Sequence, residues 1–122
     1  QRQMGIIEDI DGVSNFRLRI QYYSDDWLFI RKYQFSIDNK AYEFIPNNVE
    51  TDSGNGGYIW EWCDENIHSN NDIELIKALS NAKTAKIKFI GRHYLVIKTF
   101  SHYLIKGIKD ALNLYLAMGG SL

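Results

Sequence analysis

The chain has 122 residues, enough for one domain with a substantial core and too few for a second of ordinary size. Its 45% hydrophobic and 24% charged residues are the balance of a globular protein and exclude disordered, collagen-like and coiled-coil classes. The formal net charge of −1 conceals an uneven distribution: residues 1–74 carry six Lys and Arg against fourteen Asp and Glu, residues 75–122 eight against one.

Two readings of that asymmetry stand side by side. In the default reading the two halves interleave in one sheet and screen each other; in the other they form a polarised surface. An acidic face suits a basic partner, or imitates a nucleic-acid backbone, and a basic one suits phosphate or an acidic protein. The lone Cys63 excludes an intrachain disulfide, so packing must hold the fold. Apolar runs such as Trp27 to Ile30 are far shorter than the roughly 20 residues a bilayer requires, and the first residues do not read as a signal peptide, which is compatible with one having been removed.

In chain order, residues 5–15 read as an irregular entry, with Asp9, Asp11, Gly12 and Asn15 as turn formers, and residues 16–120 as the folded core. Phe16, Leu18, Ile20 and Tyr22 alternate with Arg17, Arg19 and Gln21, the pattern of a strand with one buried face. A longer strand is expected from Trp27 to Ile37, and Asn39-Lys40 then turns the chain into a hairpin with Tyr42 to Phe44. Residues 46–57, rich in Asn, Asp, Ser and Gly, read as a mobile loop.

Tyr58, Trp60 and Trp62 alternate with Ile59, Glu61 and Cys63 in the next strand. With Trp27, Phe29 and Phe35, the two tryptophans are expected in the core. Ser69, three residues before Asp72, opens a helix in which Ile73, Ile76 and Leu79 recur at helical spacing. Residues 84–89 and 94–99 form a hairpin about Gly91-Arg92, and Ser101 caps a last amphipathic helix with Leu104, Ile108, Leu112 and Tyr115 inside and Gly119-Gly120 at its end. The order predicts a single α+β domain over 1–122, an antiparallel sheet of about five to six strands with two helices, the second C-terminal.

Four segments together carry a resemblance: Asp25-Asp26-Trp27-Leu28-Phe29-Ile30, Ile59-Trp60-Glu61-Trp62, Ala85-Lys86-Ile87-Lys88-Phe89 with Gly91, and Ala111-Leu112 through Met118-Gly119-Gly120. From about Tyr22 to Gly120 the chain resembles a loosely defined family of small uncharacterised bacterial domains, often secreted or envelope-associated. The resemblance implies no catalytic motif.

The residues with chemical potential are Glu50, Asp52, Glu61, Asp64, Glu65 and His68, grouped in sequence. Their spacing matches neither a calcium loop nor a zinc site, so they read as a solvated acidic edge and no metal is expected. Cys63, on a strand face with Ile59 and Glu61, reads as a buried and inert thiol. No phosphate-binding glycine loop and no nucleophile, base and orienter converge, so no catalytic residue and no cofactor are expected. Nucleic acid is a poor partner for a slightly negative chain without an RNA-binding signature.

The expectation is a non-enzymatic module that binds a protein, in an envelope system as the resemblance implies, with Glu50, Asp52, Glu61, Asp64 and Glu65 as partner-binding residues. The alternatives are a small phage or mobile-element inhibitor that blocks a nucleic-acid-binding enzyme through an acidic face, and a small enzyme using the acidic cluster.

Overall fold

Alternation of Phe16, Leu18, Ile20 and Tyr22 with polar neighbours builds β2 (Asn15–Ser24), whose apolar face is fully inside. The computed structural model describes residues 3–11, 15–67 and 69–120, with side chains for 16–54, 56–67 and 69–120. Residues 5–15, expected as an irregular entry, are largely strand: β1 (Gln3–Asp11) pairs antiparallel with β2, from Gln3 opposite Tyr23 to Asp11 opposite Asn15. The adjacent Ile6 and Ile7 blur its period of two, and the bonding edge of β2 organises it. The expected turn at Gly12 lies outside the described residues.

The chain next crosses to a second sheet. Residues 27–31, expected as half of a long strand, are irregular, and the strand β3 occupies only Lys32–Ile37. Asp38 and Asn39, both at positive φ (48° and 69°), make the tight turn into β4 (Lys40–Phe44), one residue earlier than Asn39-Lys40. The expected loop over 46–57 contains a four-residue strand β5 (Glu50–Ser53) and a single 3-10 turn (Asn55–Gly57), followed by β6 (Ile59–Asn66).

Helix α1 (Asn70–Ser80) begins where Ser69 Oγ accepts the Asp72 N–H at 3.2 Å, as its sequence predicts. β7 (Ala85–Ile90) and β8 (Leu95–Thr99) form the expected hairpin. In α2 (His102–Ala117), Ser101 Oγ accepts the Leu104 N–H and Lys106 pairs with Asp110 at 2.9 Å. Gly119, at φ 95°, ends it in the left-handed conformation that a side chain would disfavour.

The α+β class and the two helices, the second C-terminal, are as expected, while the strands number eight among the described residues and divide between two antiparallel sheets. Their orders are β1-β2-β6-β5 and β4-β3-β7-β8. Aromatic contacts tie the layers into one core: Tyr22 meets Phe89 across the sheets, Phe16 meets Tyr115 of α2, both at 5.4 Å, and Phe35 meets Phe100 at 6.2 Å. No helix among the described residues is long and apolar enough to cross a membrane.

The expected interleaving of the two halves holds in the second sheet alone, where β3 and β4 join β7 and β8, whereas every strand of the first sheet comes from the first half. Among the described residues, the strands of the first sheet carry eight acidic residues against Arg17 and Arg19, and those of the second carry five lysines against Glu43.

It also relocates the aromatics. Phe35 is core, but Trp60 and Trp62 are half-buried on the outer face of the first sheet, because β6 turns Ile59, Glu61 and Cys63 inward. Trp60 lies against Tyr23 (5.1 Å) and over Gly54, where an added Cβ would come within 2.7 Å of the indole. Trp27 packs at the core margin and Phe29 is 45% exposed. Accordingly Trp60→Ala is expected to cost about 1 to 2 kcal/mol and Phe35→Ala about 3 to 5 kcal/mol. Urea titrations of both variants check this; equal losses would contradict the outer-face position of Trp60.

Candidate functional site

The predicted acidic residues separate into three environments. Glu50 and Asp52 stand exposed on the edge strand β5, with Asp52 accepting the N–H of Ser53 at 2.8 Å. Asp64 and Glu65 have structural partners: Asp64 accepts Arg17 Nε at 2.9 Å, and Glu65 accepts the backbone N–H groups of Asn47 and Asn48. Glu50, Asp64 and Glu65 share an open polar recess of about 420 Å³ with Arg17, Asn47 and Asn66. Asp52 does not line it. Among the described residues no three of His, Cys, Asp and Glu come together as a metal-sized group, and His68 lies outside them.

Glu61, expected among the solvated acids of an edge, belongs to no edge at all. It is completely buried, and its carboxylate accepts three successive backbone N–H groups: Leu28 at 2.7 Å and Phe29 at 3.2 Å on Oε2, and Ile30 at 2.8 Å on Oε1. These donors belong to the irregular crossing between the sheets, where no strand offers acceptors. Phe29, at φ 56°, reverses the local twist so that consecutive amides point one way, the geometry of an anion-binding nest. A carboxylate satisfies them without leaving buried donors unpaired.

The other side of the crossing is fixed by the turn after β7. Arg31 N donates to Ile90 O at 2.8 Å and Arg92 N to Leu28 O at 3.2 Å. Gly91 is required by contact, since a Cβ there would stand 2.1 Å from the Leu28 carbonyl oxygen.

Held this way, the crossing displays side chains to solvent. The Trp27 and Phe29 rings stack at 5.8 Å and 16°, and the Arg92 guanidinium lies 4.7 Å from the centre of the Phe29 ring. Tyr94, 76% exposed, stands on the same turn. A recess of about 260 Å³ runs between Trp27, Asp26 and Leu28 on one side and Tyr94 and Leu95 on the other. The sequence places Trp27 and Phe29 in the core, offers Arg92 only as a phosphate contact beside Lys83, Lys86 and Lys88, and does not mark Tyr94. The usable signal was the pair Glu61 and Gly91, an acid on an otherwise inward strand face and a glycine at a hairpin beside an apolar run.

Cys63 is buried as expected, and burial pushes its thiol up to about 11, away from the thiolate needed for nucleophilic work. Burial likewise raises the Tyr33 phenol. No protein-family model matches the chain, and no curated protein is similar to it.

Proposed function

We propose that the chain is a non-enzymatic protein-interaction module that docks its partner on the shelf formed by Trp27, Phe29, Arg92 and Tyr94. The observation that carries this reading is Phe29: a large aromatic at positive φ, which costs about 1 to 2 kcal/mol for an L-residue, with its ring turned toward water. The bonds to Glu61 account for the backbone conformation, but a glycine would make them without strain, so they do not account for a half-exposed phenylalanine at this position. Aromatics and arginine gathered in a fixed patch are the composition of interface anchors, and the buried Glu61 with the close approach of Gly91 prevents the patch from relaxing. A place in an envelope system is part of the same proposal, carried over from the resemblance.

Phe29→Gly separates display from folding. Glycine accepts φ 56° without strain, so the variant should keep its stability within about 1 kcal/mol while losing the partner captured from an extract of the native host. Undiminished capture by Phe29→Gly would refute the shelf as the contact surface.

The charge polarity between the sheets favours a second reading, in which the acidic sheet blocks a basic surface such as that of a nucleic-acid-binding enzyme. Asp64 and Glu65 are poor positions to test it, because their reversal would break the contacts with Arg17 and the 47–48 backbone. Glu50→Lys with Asp52→Lys should slow association with a basic partner at low salt and leave it unchanged at high salt. Equal rates for wild type and variant at low salt would remove this reading.

A further inference from the structure

The two sheets expose four edge strands, and three are blunted. β5 is four residues long and carries Glu50 and Asp52; β1 has α2 packed along it; β4 starts at Lys40, and its Glu43 carbonyl accepts the Asn71 side-chain amide at 3.1 Å. Among the described residues β8 has none of these devices over Leu95-Val96-Ile97, its lysine following at Lys98, and Leu95 and Ile97 are each just over half exposed. The bonds from Gly91 N to Tyr94 O and from Phe100 N to Ala85 O fix the alternation of the β7–β8 ladder. By that alternation the N–H and C=O groups of Leu95, Ile97 and Thr99 face away from β7, toward the unpaired side.

The outer face beside this edge is cationic. Lys88 stands between Gln34 and Ile97, and Lys86 between Ser36 and Thr99, with no acidic residue opposite either. Neither forms an ion pair among the described residues, whereas Lys32 is engaged by Glu43 at 3.1 Å. The small Ser36 and Ala41 leave a groove of about 480 Å³ floored by this face and reaching Ile97.

Resting on the reading above, we propose that the partner supplies an extended acidic segment that adds as a strand to the free edge of β8. Its backbone pairs with Leu95, Ile97 and Thr99, and alternate acidic side chains lie over the outer face toward Lys86 and Lys88. Strands sit about 4.8 Å apart, so a lysine on β7 reaches across β8 to a carboxylate on the added strand. The segment's end beside Leu95 meets the recess under Tyr94 and Trp27, which makes the edge continuous with the shelf. A second copy of this chain is the poorer occupant, because pairing β8 with β8 would join two sheets that each carry five lysines against one glutamate.

The test uses an alternating valine–glutamate octapeptide and its valine–lysine counterpart, followed by amide chemical shifts and hydrogen exchange of the intact chain. The acidic peptide should shift and protect the amides of Leu95, Ile97 and Thr99, and the basic peptide should do neither. Ile97→Pro removes one outward donor at an edge position that tolerates proline, and should weaken binding at least about tenfold. Lys86→Glu with Lys88→Glu, which leaves the edge backbone intact, should reverse the preference between the peptides. Equal binding of both peptides, no effect at β8, or concentration-dependent self-association mapped to β8 would each overturn the proposal. If the peptide fails while capture of the host partner still depends on Phe29, the edge proposal falls and the shelf stands. If the peptide binds at β8 while capture is indifferent to Phe29→Gly, the shelf falls and the edge stands.

Discussion

Replacing Glu61 with alanine is expected to cost about 3 to 5 kcal/mol, a large share of the 5 to 15 kcal/mol that holds a typical domain together. Two of its three donors, Leu28 N and Ile30 N, are in buried bonds, and the alanine variant leaves both without an acceptor in a space that the carboxylate had filled. Glu61→Gln makes the sharper variant. Its amide oxygen can still take Leu28 and Phe29, but the amide nitrogen then faces the Ile30 N–H, donor against donor, and the expected loss is about 1 to 3 kcal/mol. Guanidinium unfolding of wild type and both variants gives the ordering directly. A glutamine variant as stable as wild type would show that the carboxylate does not hold the crossing.

Gly91→Ala should cost about 2 to 3 kcal/mol for a steric reason. The obstructing atom is the Leu28 backbone oxygen, which cannot swing aside as a side chain would, so residues 28–31 or the turn itself must move. Movement there lengthens Arg92 N to Leu28 O and Arg31 N to Ile90 O, and draws Leu28 N away from Glu61. The two losses therefore overlap. In the double variant Glu61→Ala with Gly91→Ala, the combined cost should fall short of the sum by about 1 kcal/mol or more, measured by the same unfolding experiment. Strict additivity would mean that the carboxylate and the glycine act on the crossing independently.

These positions also mark how much of the candidate site the sequence exposes. Glu61 lies on an alternating strand whose other face is Tyr58, Trp60 and Trp62, so hydrophobicity alone puts the tryptophans inside and the acid outside. The structure reverses this because three amides elsewhere in the chain need an acceptor, a demand that arises 31 to 33 residues away and leaves no trace in a local window. Trp60 and Trp62 then take the outer face, where Tyr23 and the Gly54 backbone give Trp60 partial cover. The run Trp27 to Ile30 fails as a strand for the same reason, since the amides of Leu28, Phe29 and Ile30 bond a side chain.

By itself the sequence determined whatever depends on neighbours in the chain. The serine caps at 69 and 101, the Lys106–Asp110 pair, the β7–β8 hairpin and the inward faces of β2 and α2 follow from periodicity and from short-range donors and acceptors. Only the tertiary structure decided which of two strand faces is covered, that eight strands divide between two sheets, and that the acidic and basic strands separate with them. Alternation reports that a strand has two unlike faces, but burial is settled by the layer that comes to lie on each face. In this chain, part of that layer is held in place by a single carboxylate reaching across from the other sheet.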